Sequence, residues 1–301
     1  MKRARAFLIG CLALPACGGS ALSTSDGGAP APDLAAMLGS QSVTLTMDPF
    51  TVAAGAEVYE YQDFVNPFGG MDTDIAAWES HMTKGSHHLL LFYEDVKANG
   101  PLTDGNGLMF GPTPYGAQQP DLVIRYPEGV AAKVPGNKGI RLQAHYLNAT
   151  QSPIDAVVTV TLHVAPSGTV KQQAGVFFMI NLDVTTPPQS TRTVTDSCPI
   201  PFDATLIYAT GHMHQHGTNF TASTNGVTFY QTSDWAQAPT ATLQPPIHVS
   251  AGQSVTWSCT FNNMTNQPLI FGESAQTNEM CIISGQYYPV PPGMDPLIGC
   301  K

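Results

Sequence analysis

The chain reads as all-β: two antiparallel, jelly-roll-like β-sandwich domains behind a signal peptide and a flexible tether. Three observations predict this. Short alternating or β-branched runs recur from Val43 to the end, Gly, Pro or Asn bounds nearly every one, and no long stretch carries the apolar period of a helix. Closely spaced strands with turn residues between them are what a sandwich needs.

In chain order, strands are expected at 42–47, 88–92, 121–126, 140–147, 156–164, 176–180, 205–209, 255–261 and 280–284. One short helix is expected at 72–81, where Asp72 or Thr73 could cap a segment containing Ile75, Ala76, Ala77 and Trp78. Ala165-Pro166-Ser167-Gly168 follows a strongly strand-like run and precedes a fresh apolar segment, so the boundary is expected there, with domains at 41–165 and 169–301. Pro187-Pro188 is the competing position, and no internal repeat is visible.

The N-terminus reads as a targeting segment. Lys2, Arg3 and Arg5 precede the apolar run 6–13, which is too short to span a bilayer. That run ends in Leu14-Pro15-Ala16-Cys17-Gly18, which resembles a bacterial lipobox, so residues 1–17 are expected to be removed up to a lipidated Cys17. Plain signal cleavage nearby is the alternative. Residues 18–40 are rich in Gly, Ser, Ala and Pro and read as a tether. The expected location is the bacterial cell envelope, with the lipid as the only membrane contact. Gly18 after Cys17, where some bacteria use Asp for inner-membrane retention, points to the outer membrane or cell surface.

Composition narrows the function. Charged residues make up 11% of the chain and the formal net charge is −10, with only 12 Lys and Arg, which argues against nucleic acid because phosphate binding is driven by those side chains. Of six cysteines, Cys11 and Cys17 belong to the targeting region. Cys198, Cys259, Cys281 and Cys300 all lie in the C-terminal part, where an oxidising compartment favours two disulfides and leaves three pairings open.

Six of nine histidines fall in three places: His87-His88, His145, and the cluster His212-Met213-His214-Gln215-His216. Neutral imidazole is a good metal ligand. Alternate residues of a strand share a face, so His212 and His214 are expected to point together at one ion, with His216 also there if the strand continues. Adjacent His87 and His88 can serve one ion only where a strand starts irregularly or bulges, which Gly85-Ser86 permits. Each motif alone has an ordinary reading. A lone sheet histidine such as His145 is usually structural, and Met280 alone would be a core residue. His81, His163 and His248 lie outside the motifs and receive no ligand role.

Taken together, Gly-Ser-His87-His88-Leu-Leu-Leu-Phe, Leu142-Gln143-Ala144-His145-Tyr146, His212-x-His214 and Asn278-Glu279-Met280-Cys281 resemble, in order and spacing, the copper type II ascorbate-dependent monooxygenases. That family includes peptidylglycine α-hydroxylating and dopamine β-monooxygenases. The resemblance implies two coppers. An electron-transfer copper would be held by His87, His88 and His145, and an oxygen-activating, catalytic one by His212, His214 and Met280. It further implies ascorbate or a similar electron donor, dioxygen, a small-molecule or short-peptide substrate, and disulfides Cys259–Cys281 and Cys198–Cys300. A soft thioether favours Cu(I), the form that reacts with oxygen.

The sequence departs from the peptide-amidating members at the substrate. An Arg expected two residues before His-x-His is Thr210, and the Asn and Tyr expected after Glu-Met-Cys are Ile282 and Ser284. Without that guanidinium a carboxylate loses its bidentate partner, and Arg125, Arg141 and Arg192 are the remaining sources. Two competing readings follow: a copper-sequestering or copper-delivery lipoprotein without turnover, and a single cupin-like metal site of His212, His214 and His216.

Overall fold

A computed structural model describes residues 41–105 and 113–300. The expected signal peptide, Cys17 and the tether 18–40 lie outside the described residues. Every regular element described is a strand.

Strands from Ser42 to Gln173 form two main sheets and a small strand pair. One sheet runs in the order Ser42–Thr46, Val158–Val164, Thr73–Met82, Val130–Val134, Gln172–Gln173, with Asp121–Arg125 also paired to Thr73–Met82. The other runs Thr103–Asp104, Glu57–Phe64, Gly139–Leu147, Ser86–Glu94, Tyr115–Ala117. Their facing side chains, among them Trp78, Val160 and Leu162 from the first and Leu91, Leu142 and Tyr146 from the second, merge into one core. This is the alternation that sheet-on-sheet packing requires.

From Gly175 to Cys300 a second set forms. A five-stranded sheet, Ala241–Val249, Ala204–His212, Ile282–Tyr288, Gly175–Ile180, Leu297–Cys300, covers a four-stranded one, Ser190–Pro199, Ser254–Asn263, Gly217–Thr224, Val227–Thr232. Phe177, Leu206 and Tyr287 of the former meet Phe220, Trp257 and Phe261 of the latter. Pairing is antiparallel throughout both sets except where Gln172–Gln173 joins Val130–Val134 and where Leu297–Cys300 joins Gly175–Ile180. Ile207 and Tyr208 belong to the second set by strand yet pack into the first core, and Tyr208 Oη donates to the Arg125 carbonyl at 2.7 Å.

The helix expected at 72–81 is instead the ten-residue strand Thr73–Met82. It sits inside its sheet, bonded to Val158–Val164 along one edge and to Asp121–Arg125 and Val130–Val134 along the other. A strand covered on both faces reads as a continuous apolar run, and Ile75-Ala76-Ala77-Trp78 is buried throughout. The Asp72 carboxylate caps no helix. It accepts the Gly136 N–H at 2.7 Å. The strand expected at 280–284 begins at Ile282, leaving Met280 and Cys281 on the approach to it.

Candidate metal centre

The first-set histidines sit on two neighbouring strands, Ser86–Glu94 and Gly139–Leu147. Gly85 has φ +103°, and a Cβ there would lie 2.5 Å from Ile154 Cδ1, so the turn before His87-His88 needs glycine. In the pairing that follows, His145 faces His88 while Tyr146 faces Ser86, which makes His87 the extra residue of a β-bulge. The bulge re-aims His87 toward the face that His88 and His145 share. Ring centroids are 5.2 Å apart for His87 and His88, 4.9 Å for His87 and His145, and 4.8 Å for His88 and His145.

The second-set histidines do not share one strand. The strand Ala204–His212 ends at His212, and His214 lies in the tight turn that follows, closed by the Gly217 N–H donating to the His214 carbonyl at 2.9 Å. Gly211 allows the approach, since a Cβ there would meet the Phe220 ring at 2.6 Å. The buried carboxylate of Glu279 gathers the turn, accepting the N–H of His214 at 2.9 Å and of His216 at 2.7 Å. Burial pushes this carboxyl up to about 7, against the backbone N–H groups of His214, His216, Met280 and Gly217 that favour its charged form. Glu279 thus ties the histidine turn to Met280 next to it in the chain.

The fold brings both sets into one cluster. Among the described residues, two groups of three have ligand nitrogens within 4.8 Å of one another: His87 with His88 and His145, and His87 with His212 and His214. His87 is common to both, with its ring 5.0 Å from that of His212 and 5.5 Å from that of His214. His216 is in neither group, and its side chain is only half buried. Met280 is buried against Ile180 and Ile282, and it borders the same cavity as His88 and His212.

One nitrogen of each ring is committed to a protein partner, which fixes tautomer and orientation. His145 donates Nε2–H to Glu57 Oε1 at 3.0 Å and stacks on Tyr59 with centroids 3.9 Å apart. His88 Nε2 bonds Gln143 Oε1 at 3.3 Å. His214 donates Nδ1–H to the Asn278 carbonyl at 3.1 Å, and His87 bonds the Ala236 backbone. His212 donates Nδ1–H to Gln118 Oε1 at 2.6 Å. The amide orientation of Gln118 is set by its Nε2, which donates to the Gly211 carbonyl at 3.0 Å and to Thr210 Oγ1 at 3.1 Å.

The remaining nitrogens fit a metal. His87 Nε2 and His145 Nδ1 are buried atoms with no hydrogen-bond partner. Burial first, then the neighbouring imidazoles, holds His87, His145 and His212 well below the ordinary histidine value, and burial lowers His88 and His214 to about 4. All five are therefore neutral at physiological pH, the state that ligates metal. Imidazole nitrogens together with a nearby thioether suit copper.

Other expected features fall as follows. The disulfides are Cys198–Cys300 and Cys259–Cys281, the latter joining the strand Ser254–Asn263 to the residue after Met280. His81 bonds Asp121 at 2.7 Å and His163 bonds Glu79 at 3.1 Å, away from the cluster. Thr210, Ile282 and Ser284 all line the cavity beside His212, whereas Arg125, Arg141 and Arg192 do not. Sequence reasoning missed Gln118 and Glu57. Neither lies in a motif, and both act across segments far apart in the chain.

Residues 172–297 match the C-terminal domain of the copper type II ascorbate-dependent monooxygenases. That span includes His212, His214, Met280 and three of the four bridged cysteines, while His87, His88 and His145 precede it. No curated protein matches the chain. Among solved structures, the major capsid protein P2 of bacteriophage PM2 is 8% identical over 85% of this chain and 100% of that chain, with a TM-score of 0.35. PBCV-1 VP54, fitted into a reconstruction of the virophage Sputnik, is 10% identical over 82% of this chain and 94% of that chain, with a TM-score of 0.23. Those likenesses bear on nothing further. By the domain match and the ligand set it contains, the part of the chain from 172 to 297 is similar to the C-terminal domain of the copper type II ascorbate-dependent monooxygenases.

Proposed function

We propose that the protein is a two-copper monooxygenase that hydroxylates a C–H bond with dioxygen and electrons from ascorbate or a similar donor, held in the bacterial cell envelope by lipid on Cys17. The observation that carries this reading is the convergence of five neutral histidines, His88 partly buried and the others buried, into two overlapping triads. His88, His145 and His87 would hold the electron-transfer copper. His212, His214 and Met280, with His87 alongside, would hold the copper that meets oxygen.

Copper, when bound, supplies the one-electron and oxygen chemistry that no side chain here provides. The chain itself positions and shields. Glu57, Gln143, Gln118 and the Asn278 carbonyl each take one imidazole N–H, so the ligating nitrogens face inward without rearrangement. Glu279 holds the His214 turn beside Met280. Apolar walls next to His212 keep water from the place where a substrate C–H would lie.

The test is copper content and oxygen uptake of the full chain with ascorbate. Two coppers in the wild type, one in His212→Ala/His214→Ala, and loss of hydroxylation in Met280→Ala with copper still held by the first set are the expected results. Copper binding without oxygen uptake across candidate substrates would leave a copper-holding protein instead. A single ion, unaffected by His88→Ala, would overturn the two-copper reading.

A further inference from the structure

Among the described residues, the lining of the cavity that borders His88, His212 and Met280 includes no Asp, Glu, Lys or Arg. Its enclosed volume is about 120 Å³, several times the ~10–15 Å³ that one water needs. Both strand sets build it. Leu90, Pro114 and Ile124 face Val176, Phe178 and Ile282 across it.

Its polar groups are neutral and few. Tyr115 Oη is turned away to Ser80 Oγ at 2.7 Å, and Tyr208 Oη to the Arg125 backbone. Gln118 is committed to His212, Thr210 and Gly211. Two buried atoms remain without a hydrogen-bond partner, Gln286 Oε1 and Thr240 Oγ1, and both residues line the cavity. A buried polar atom left unpaired is costly, and a ligand that brings a donor would satisfy one.

We infer that this cavity takes a neutral, predominantly apolar small molecule carrying at most an uncharged hydrogen-bonding group, and excludes carboxylates and ammonium ions of the same shape. An ion would have to shed its water with no opposite charge to meet it. An apolar body would lose only unfavourable hydration. That this molecule is the one oxidised rests on the monooxygenase reading. That the cavity selects against charge does not.

The experiment is calorimetric titration of the metal-free full chain with phenylpropanol, phenylpropanoate and phenylpropylamine at neutral pH, with copper content measured separately. The alcohol is expected to bind at least about 100-fold more tightly than either ion. Val176→Trp should abolish alcohol binding with its circular dichroism unchanged, and Ser284→Lys should turn the preference toward the carboxylate. Equal or tighter binding of an ion by the wild type, or no saturable binding of any probe, would overturn the inference even if copper loads normally. Failure of copper loading with alcohol binding intact would instead overturn the monooxygenase reading alone.

Discussion

Gln118, just after the strand Tyr115–Ala117 of the first set, accepts the Nδ1–H of His212 from the second set at 2.6 Å. A ligand of one half is thereby oriented by a side chain of the other, and the acceptor is itself locked by Thr210 and Gly211. Gln118→Met keeps the volume and removes the acceptor. Copper affinity of the His212 set should fall about 10- to 100-fold, with the His88 and His145 set unchanged. Gln118→Glu, which still offers an oxygen to His212, should recover part of that loss in the same copper titration.

Glu57 makes a second connection. One carboxylate accepts His145 Nε2–H, Ser274 Oγ–H at 2.9 Å and Ala275 N–H at 2.8 Å. Tyr59, two residues on, donates to the Glu273 carbonyl at 2.8 Å. The loop leading to Met280 is thus fastened to the strand that orients His145. Glu57→Ala should lower stability by about 3 kcal/mol in chemical denaturation and weaken copper at the His145 set about tenfold. Glu57→Gln should fall between, because it retains an oxygen for one donor.

Much of this was legible in the chain itself. Alternation located nine of the 22 strands described, and the bulge permitted by Gly85-Ser86 is present at His87. Local reading failed where burial is two-sided, as in Thr73–Met82, since a fully covered strand and a short apolar helix share one pattern. It failed also at His214, because strand periodicity does not announce a turn one residue after His212. That His87 neighbours His212 is a product of how two sheet sets meet. Gln118 and Glu57 gain their roles only through contacts spanning 94 and 88 residues to His212 and His145.

Glu60, opposite Ala144 in the sheet, supplies a pH dependence of its own. Burial, then hydrogen bonding and repulsion with Asp104, raises its carboxyl to about 7. The folded form thus holds this proton more tightly than the unfolded chain does. The contribution to stability is fully present below the unfolded carboxyl value of ~4.3 and is lost as pH rises through about 7. Glu60→Gln should flatten that decline. Thermal midpoints at mildly acidic and mildly alkaline pH should differ less in the variant than in the wild type, and an identical difference would sink the assignment.

The disulfides should separate stability from metal affinity. Cys198–Cys300 closes a loop with sequence separation 102, and Cys259–Cys281 one of 22. Loop-closure entropy then assigns about 4.7 kcal/mol to the first and about 3.4 kcal/mol to the second. Cys281 follows Met280 directly and lies in the same buried core as Cys259. Cys198→Ser/Cys300→Ser should therefore lose more in denaturation midpoint, yet Cys259→Ser/Cys281→Ser should lose more copper affinity at the His212 set, since only that bridge holds the segment carrying the thioether. Equal effects on copper from both double variants would mean that Met280 is positioned by Glu279 and the Ile180 and Ile282 contacts alone.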